Sequence, residues 1–265
     1  MGLMLRKAGY TVDEVVYRER GRSRARARSL AQKLGARACE LTMTRLSAEV
    51  VWFCVPDREI AACAASIAPR AAWKEKIVLH SSGALASDEL SALRQLGASA
   101  ASLHPFMTFV PSSTPSLVGV PFAVEGDPRA LRAARIIVRD LGGETFAIKK
   151  KDKAAYHAWG SFSSPLLIAL LVTAEQVAHR AGVRGPAARN RMLPILQQTL
   201  TNYAERGAAR AFSGPIIRGD AETVRKHLEI LREVPGALQV YVALARSALR
   251  NLPNQERAQL EAVLA

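Results

Sequence analysis

Val50-Val-Trp-Phe-Cys-Val-Pro56 is a run of six apolar residues closed by a proline, and Lys76-Ile-Val-Leu-His80 is a second run, stopped by Ser81-Ser82-Gly83. Apolar runs without polar alternation suit strands covered on both faces, the situation of a parallel sheet between layers of helices. Between them, residues 60–68 are alanine-rich and helical in spacing. Toward the amino end, residues 12–17 read as a short strand and 23–34 as a helix closed by Gly35. Toward the carboxyl end, 87–96 read as a helix stopped at Gly97, and 101–104 as another extended piece. This alternation of strand and helix predicts a doubly wound α/β sheet.

After the loop Pro111-Ser-Ser-Thr-Pro115, residues 122–126, 129–141 and 145–148 predict a further strand, helix and strand, with Gly142-Gly143 ending the helix. Beyond Lys149 only helical spacing remains, over 153–180, 186–206, 221–233 and 236–252, with breaks at Gly182, Gly207, Gly214-Pro215 and Pro235-Gly236. The chain therefore divides into an α/β domain over 1–150 and an all-helical domain over 151–265.

The 265 residues are 49% hydrophobic and 23% charged, the balance of a packed globular protein. Three cysteines, Cys39, Cys54 and Cys63, provide neither a disulfide framework nor a metal-site spacing, so no metal is expected. Arg6 and Lys7 interrupt any secretory signal, and the greasiest stretch, 165–172, is far shorter than the roughly 20 residues of a membrane span. These features predict a cytoplasmic protein. The net charge is +14, and half of that excess lies in the first 37 residues, where ten Lys and Arg face Asp13, Glu14 and Glu19. An anion near that end is one explanation. Nucleic acid is disfavoured, because the cluster has no interleaved aromatics and no helix-turn-helix or zinc pattern beside it.

A doubly wound nucleotide-binding domain opens with a strand, a glycine-rich turn and a helix whose amino end holds the pyrophosphate. Gly2-Leu-Met-Leu-Arg-Lys-Ala-Gly-Tyr10 has the pattern with which that helix ends. The first strand and glycine-rich turn are thus missing from the sequence, either because the reading frame extends upstream or because the phosphate loop is lost. At the end of the next strand an acidic residue suits the ribose of NAD and an arginine the 2′-phosphate of NADP. Arg18 follows Tyr17, so Arg18 is a candidate NADP clamp. The alternative for the arginines of 20–28 is a solvated helix face.

Several segments occur together in order: Val51-Trp-Phe-Cys-Val-Pro-Asp57-Arg-Glu-Ile60, Val78-Leu-His-Ser-Ser-Gly-Ala-Leu85, Ser102-Leu-His-Pro-Phe106 with Thr108-Phe109, Tyr156-His157, and Gly214-Pro-Ile-Ile-Arg-Gly-Asp220. On these the chain resembles the bacterial family that pairs a Rossmann-like domain with the domain of unknown function 2520. That family is similar in fold to pyrroline-5-carboxylate reductase, ketopantoate reductase and the 6-phosphogluconate dehydrogenase group. The resemblance implies a Rossmann-like sheet followed by a 6-phosphogluconate dehydrogenase C-terminal-like helical domain. It also implies an NADP-dependent oxidoreductase, with NAD the lesser candidate, that forms a homodimer through the helical domain.

In such folds the residues just after the strands face the nicotinamide. Cys54, Val55 and Pro56 follow one strand, Ile60 could pack beside the ring, and His80, Ser81, Ser82 and Gly83 follow the next. Strand termination alone also accounts for Val55 and Pro56, and Cys54 reads as a small apolar residue rather than a nucleophile. Hydride transfer to C=O or C=N needs a proton donor. Lys153 and His157 stand at i and i+4, on one face of the helix entering the second domain. Ketopantoate reductase and the hydroxyacid dehydrogenases also present a lysine early in the corresponding helix. The competing readings are a solvated basic helix start for Lys153, after Lys149, Lys150 and Lys151, and a core histidine for His157. Ser163-Ser164-Pro165 departs from the amide residue expected later on that helix. Arg218 could bind a carboxylate or phosphate, or pair within the chain, and His104 could line the same cleft or serve a turn. Asp220 reads as a helix cap. Together these residues predict an NADP-dependent reductase or dehydrogenase of a small anionic substrate, working in a cleft between the domains. A dinucleotide-binding sensor or partner protein without turnover is the alternative.

Overall fold

The computed structural model describes residues 1–17, 23–110 and 116–265. The chain separates into two compact units, Met1–Ser161 and Phe162–Ala265.

The first unit opens with the short helix α1 (Gly2–Lys7), then β1 (Glu14–Tyr17), α2 (Ser23–Leu34) and β2 (Arg37–Glu40). β1 and β2 pair in parallel as a sheet of their own, with Glu14 opposite Arg37. Helix α2 buries Ala27, Ala31 and Leu34 at i, i+4 and i+7, while Arg24, Arg26 and Arg28 face solvent. The basic sequence there is a solvated helix face, as one of the two readings held.

A five-stranded sheet follows in the order β3-β4-β5-β6-β7: Val50–Phe53, Ile77–His80, Ser99–Pro105, Pro121–Gly126 and Glu144–Ala147. Successive side chains of a strand point to opposite faces, and here they feed two cores. Val50, Trp52, Ile77, Leu79, Ala101 and Leu103 join one core, covered by α5 (Pro128–Asp140) and by Met1, Met4 and Leu5 of the amino-terminal segment. Val51, Phe53, Val78 and Ala100 join the other, under α3 (Ile60–Ile67) and α4 (Ser91–Arg94) with Trp73. The sheet is thus covered on both faces, which is why β3 and β4 read as nearly unbroken apolar runs.

β3, β4 and β5 are parallel, as are β6 and β7, but β6 runs antiparallel to β5. The expected doubly wound sheet is therefore Rossmann-like with one reversed junction. No helix is described between β5 and β6, whereas α5 provides the crossover from β6 to β7 that a parallel pair requires.

The single helix anticipated over 153–180 is two: α6 (Lys153–Ser163) and α7 (Pro165–Arg180). Ser164 leaves helical geometry, and Pro165 fits the first position of α7, where no backbone donor is needed. α6 lies almost wholly in the first unit; the second holds α7 and continues with α8 (Pro186–Ala211), α9 (Ala221–Leu231), α10 (Ala237–Asn251) and α11 (Arg257–Val263). α8 is broken at Gly207, whose φ of 74° lies in the left-handed region. Asp220 caps α9, accepting from the Thr223 backbone N–H at 3.0 Å. Val224, Ala245, Leu249, Leu260 and Leu264 tie α9, α10 and α11 together. α7 and α8 instead leave Leu166, Ile168, Val172, Leu193, Ile195 and Leu200 exposed. Among the described residues one helical run, Lys150–Arg180, is long and apolar enough to cross a membrane by length and composition.

Candidate active site

The carboxyl ends of β3 and β4 open into a cleft of about 210 Å³. Its walls include Phe53, Cys54, Val55, Ser81, Ser82 and Phe109. Four of the residues expected on the cofactor side thus meet here: Cys54, Val55, Ser81 and Ser82. Cys54 is exposed rather than a buried apolar residue, and Pro56 stands exposed beside it. Ile60 does not reach the cleft, because it is 1% exposed and belongs to the core under α3. Arg18 lies outside the described residues.

The hydrogen bonds at the β4 end give each polar side chain a distinct task. Ser81 Oγ accepts from Trp52 Nε1 at 2.8 Å, which leaves the hydroxyl hydrogen of Ser81 available to the cleft. Ser82 Oγ donates to Asp57 Oδ2 at 2.7 Å and accepts from the backbone N–H groups of Ala84 and Leu85. His80 is fully buried. Its Nδ1 accepts from the Ser82 N–H, so the ring hydrogen sits on Nε2 and is donated to the Ala86 carbonyl at 3.0 Å. Burial pushes this imidazole down to about 4, against the Ala86 hydrogen bond and with the charge of Lys153 adding to the shift. His80 therefore shapes the turn and has no ring nitrogen left for a ligand.

Lys153 and His157 do not share a task, although both lie on α6. Lys153 is 2% exposed, and its Nζ donates to the Ser82 carbonyl at 2.8 Å and to Ser102 Oγ at 2.7 Å. Burial pushes its pKa down to about 8, opposed by the carboxylates of Glu125 and Asp57. Glu125 is itself buried, accepting from the backbone and hydroxyl of Ser87. Lys153 thus fastens the first turn of α6 to the segment after β4 and to the middle of β5. His157 is exposed, and the second buried residue of α6 is Tyr156, at i+3 from Lys153.

Tyr156 is the polar side chain to which the sequence reading gave no role. Its hydroxyl lies 2.6 Å from Nδ1 of His104, near the end of β5. Phe106, Phe146 and Trp159 surround the phenol ring. Burial raises the Tyr156 pKa above the usual phenol range. His104 is held at about 4 by burial, and next by the charges of Lys153 and His157. A Cβ at Gly83 would stand 2.9 Å from His104 Nε2 and 2.9 Å from His157 Cδ2, so the two imidazoles close over the space a side chain would fill. The available signal for Tyr156 was its spacing, since i+3 places it beside Lys153 on the helix. Arg218, exposed on the turn before α9, belongs to the second unit.

Residues 120–248, from β6 into α10, match the model of the family Domain of unknown function (DUF2520). The resemblance read from the ordered motifs therefore holds. No curated protein matches the chain. Solved structures share its fold along nearly the whole length. A provisionally named NADP oxidoreductase of Bacteroides fragilis, BF3122, is 20% identical with a TM-score of 0.76, over 93% of this chain and 91% of that one. Protein TM1727 of Thermotoga maritima is 22% identical with a TM-score of 0.72, over 98% and 94%. An imine reductase of a Pseudomonas species is 19% identical with a TM-score of 0.63, over 100% and 94%. At these identities the likeness is one of fold.

Proposed function

We propose that the chain is an NADP-dependent oxidoreductase that reduces a C=O or C=N group in a small anionic substrate. The observation that carries this reading is the open cleft at the carboxyl ends of β3 and β4, where Rossmann-like sheets take their ligands. The fold shared with proteins named as an NADP oxidoreductase and an imine reductase supports it. At about 210 Å³ the cleft is smaller than a typical cofactor pocket, so it suits the nicotinamide end and not a whole dinucleotide. Ser81, with its uncommitted hydroxyl hydrogen, and the Cys54-Val55 segment would hold that end. The cofactor would supply the hydride. Arg18 is assigned to the 2′-phosphate. His157, exposed beside Gly83, is the available α6 side chain for moving a proton, while Lys153 keeps His157 and Tyr156 in place through the Ser82 and Ser102 bonds.

Calorimetric titration of the full chain with NADPH and NADH tests this. Binding of NADPH in preference to NADH is expected. A folded chain that binds neither removes the reductase reading.

One observation favours a second reading, a dinucleotide-binding sensor without turnover. The lysine expected to donate a proton is sealed from solvent and committed to protein acceptors. NADPH binding with no oxidation across a panel of small 2-oxo acids and cyclic imines would select the sensor.

The exposed apolar side chains of α7 and α8 support a homodimer formed through the helical unit, because exposed apolar side chains grouped on neighbouring helices mark interaction surfaces. On this reading the apolar stretch of α7 is a subunit contact of a cytoplasmic protein and not a membrane anchor.

A further inference from the structure

His104 and Tyr156 come from β5 and α6, 52 residues apart, and meet at 2.6 Å. The direction of that bond fixes which His104 nitrogen carries hydrogen. Among the described residues the Tyr156 hydroxyl has one hydrogen-bond partner, His104 Nδ1, and its hydrogen is satisfied only by donation to that nitrogen. Nδ1 is then an acceptor, and the ring hydrogen belongs to Nε2, the nitrogen at Gly83. No hydrogen bond is made by Nε2 among the described residues. We infer that Tyr156 holds His104 in the neutral tautomer with hydrogen on Nε2, and that this N–H is the donor meeting the carbonyl oxygen or imine nitrogen of the substrate.

The groups facing His104 agree with a neutral donor. Burial disfavours a charged imidazole most, Lys153 and His157 on α6 act in the same direction, and Asp57 after β3 opposes them. Burial also keeps the Tyr156 phenol protonated. A neutral imidazole polarises a carbonyl through its hydrogen bond without giving up a proton, a role it can fill where an imidazolium is not stable. Tyr156 is in this arrangement a positioning residue, and His104 the residue that touches substrate. The aromatic wall of Phe106, Phe146 and Trp159 fixes the phenol and thereby the tautomer.

The substrate part of this inference rests on the reductase reading, but the tautomer does not, and the two are separated by experiment. Long-range proton–nitrogen NMR of the free, nitrogen-labelled chain at pH 7 is expected to show His104 neutral with hydrogen on Nε2. Tyr156→Phe keeps the ring and its packing, and should replace the single form with a tautomer mixture. His80, fixed independently by Ser82 and Ala86, should not change and reports that the fold is intact. Hydrogen on Nδ1, an imidazolium at pH 7, or an unaltered His104 in Tyr156→Phe would overturn the proposal, whatever the NADPH titration shows. With any acceptor the chain reduces, Tyr156→Phe should lower kcat about tenfold and leave the NADPH Kd unchanged. An unchanged kcat would overturn the donor role. Failure to bind NADPH, with the tautomer as described, removes the reductase reading alone.

Discussion

Lys153 Nζ donates to Ser102 Oγ at 2.7 Å, joining the first turn of α6 to β5 from a position that solvent scarcely reaches. Replacing it with methionine keeps most of the volume but takes the Nζ donor from Ser102 Oγ and leaves the Ser82 carbonyl with the Ser102 hydroxyl alone, at a cost of about 2 kcal/mol in urea unfolding. The pH dependence distinguishes this from simple loss of packing. The folded chain releases the Lys153 proton near 8, whereas an unfolded lysine keeps it to 10.5. Between those values the unfolded state binds more protons, so wild-type stability should rise with pH. Equal slopes for wild type and Lys153→Met between pH 8 and 10 would show that Nζ is not buried.

The two depressed histidines act at the acid side. His80 and His104 ionise near 4 when folded, against 6.5 for a free imidazole. As pH falls from 6.5 to 4 the unfolded state takes up the protons first, and stability should drop by about 3 kcal/mol for each fully shielded ring. Urea midpoints at pH 7, 5 and 4 should fall in sequence, and His104→Gln should flatten the series. A midpoint that holds steady to pH 4 contradicts both shifts.

Gly83 is required by space and not by backbone angle. Gly83→Ala would place a methyl 2.9 Å from both His104 and His157. The exposed His157 can swing away, but His104 is tied to Tyr156, so the substitution should disturb that bond and destabilise the chain by about 1–3 kcal/mol. Wild-type stability together with a wild-type His104 NMR signal would refute the close approach.

Ile168 and Val172 lie one turn apart on α7, and both are exposed. If they form the subunit contact, a carboxylate at either position is buried without a partner and should break it. Sedimentation should give a dimer for wild type and a monomer for Ile168→Glu and Val172→Glu. A wild-type monomer at micromolar concentration rejects the dimer.

Arg18→Ala tests the 2′-phosphate clamp. Removing a guanidinium bonded to a phosphate should weaken NADPH by about tenfold or more and leave NADH unchanged. Parallel losses for both cofactors would assign Arg18 to something other than the 2′-phosphate.

The sequence by itself determined where most strands and helices lie, because that information is local. The runs at Val50 and Ile77 had no alternation, and both strands are covered on two faces. Spacing also located the helical second half and the Asp220 cap. β2 (Arg37–Glu40) and α11 (Arg257–Val263) were not legible, since strand residues as polar as Arg37 and Glu40, and a short helix near the chain end, carry little periodic signal. The tertiary structure alone decided the reversed β5–β6 junction, because strand direction depends on the path of the connection and not on the strands themselves. It likewise decided the site. Lys153 and His157 looked equivalent at i and i+4, yet one faces the sheet and is sealed, while the other faces out. His80 and His104 each lie at or near a strand end, but Ser82 and Ala86 occupy both nitrogens of the first, and Tyr156 occupies only one of the second. Periodicity reports which face of an element is apolar; which atoms meet across 52 residues depends on how those faces close on one another.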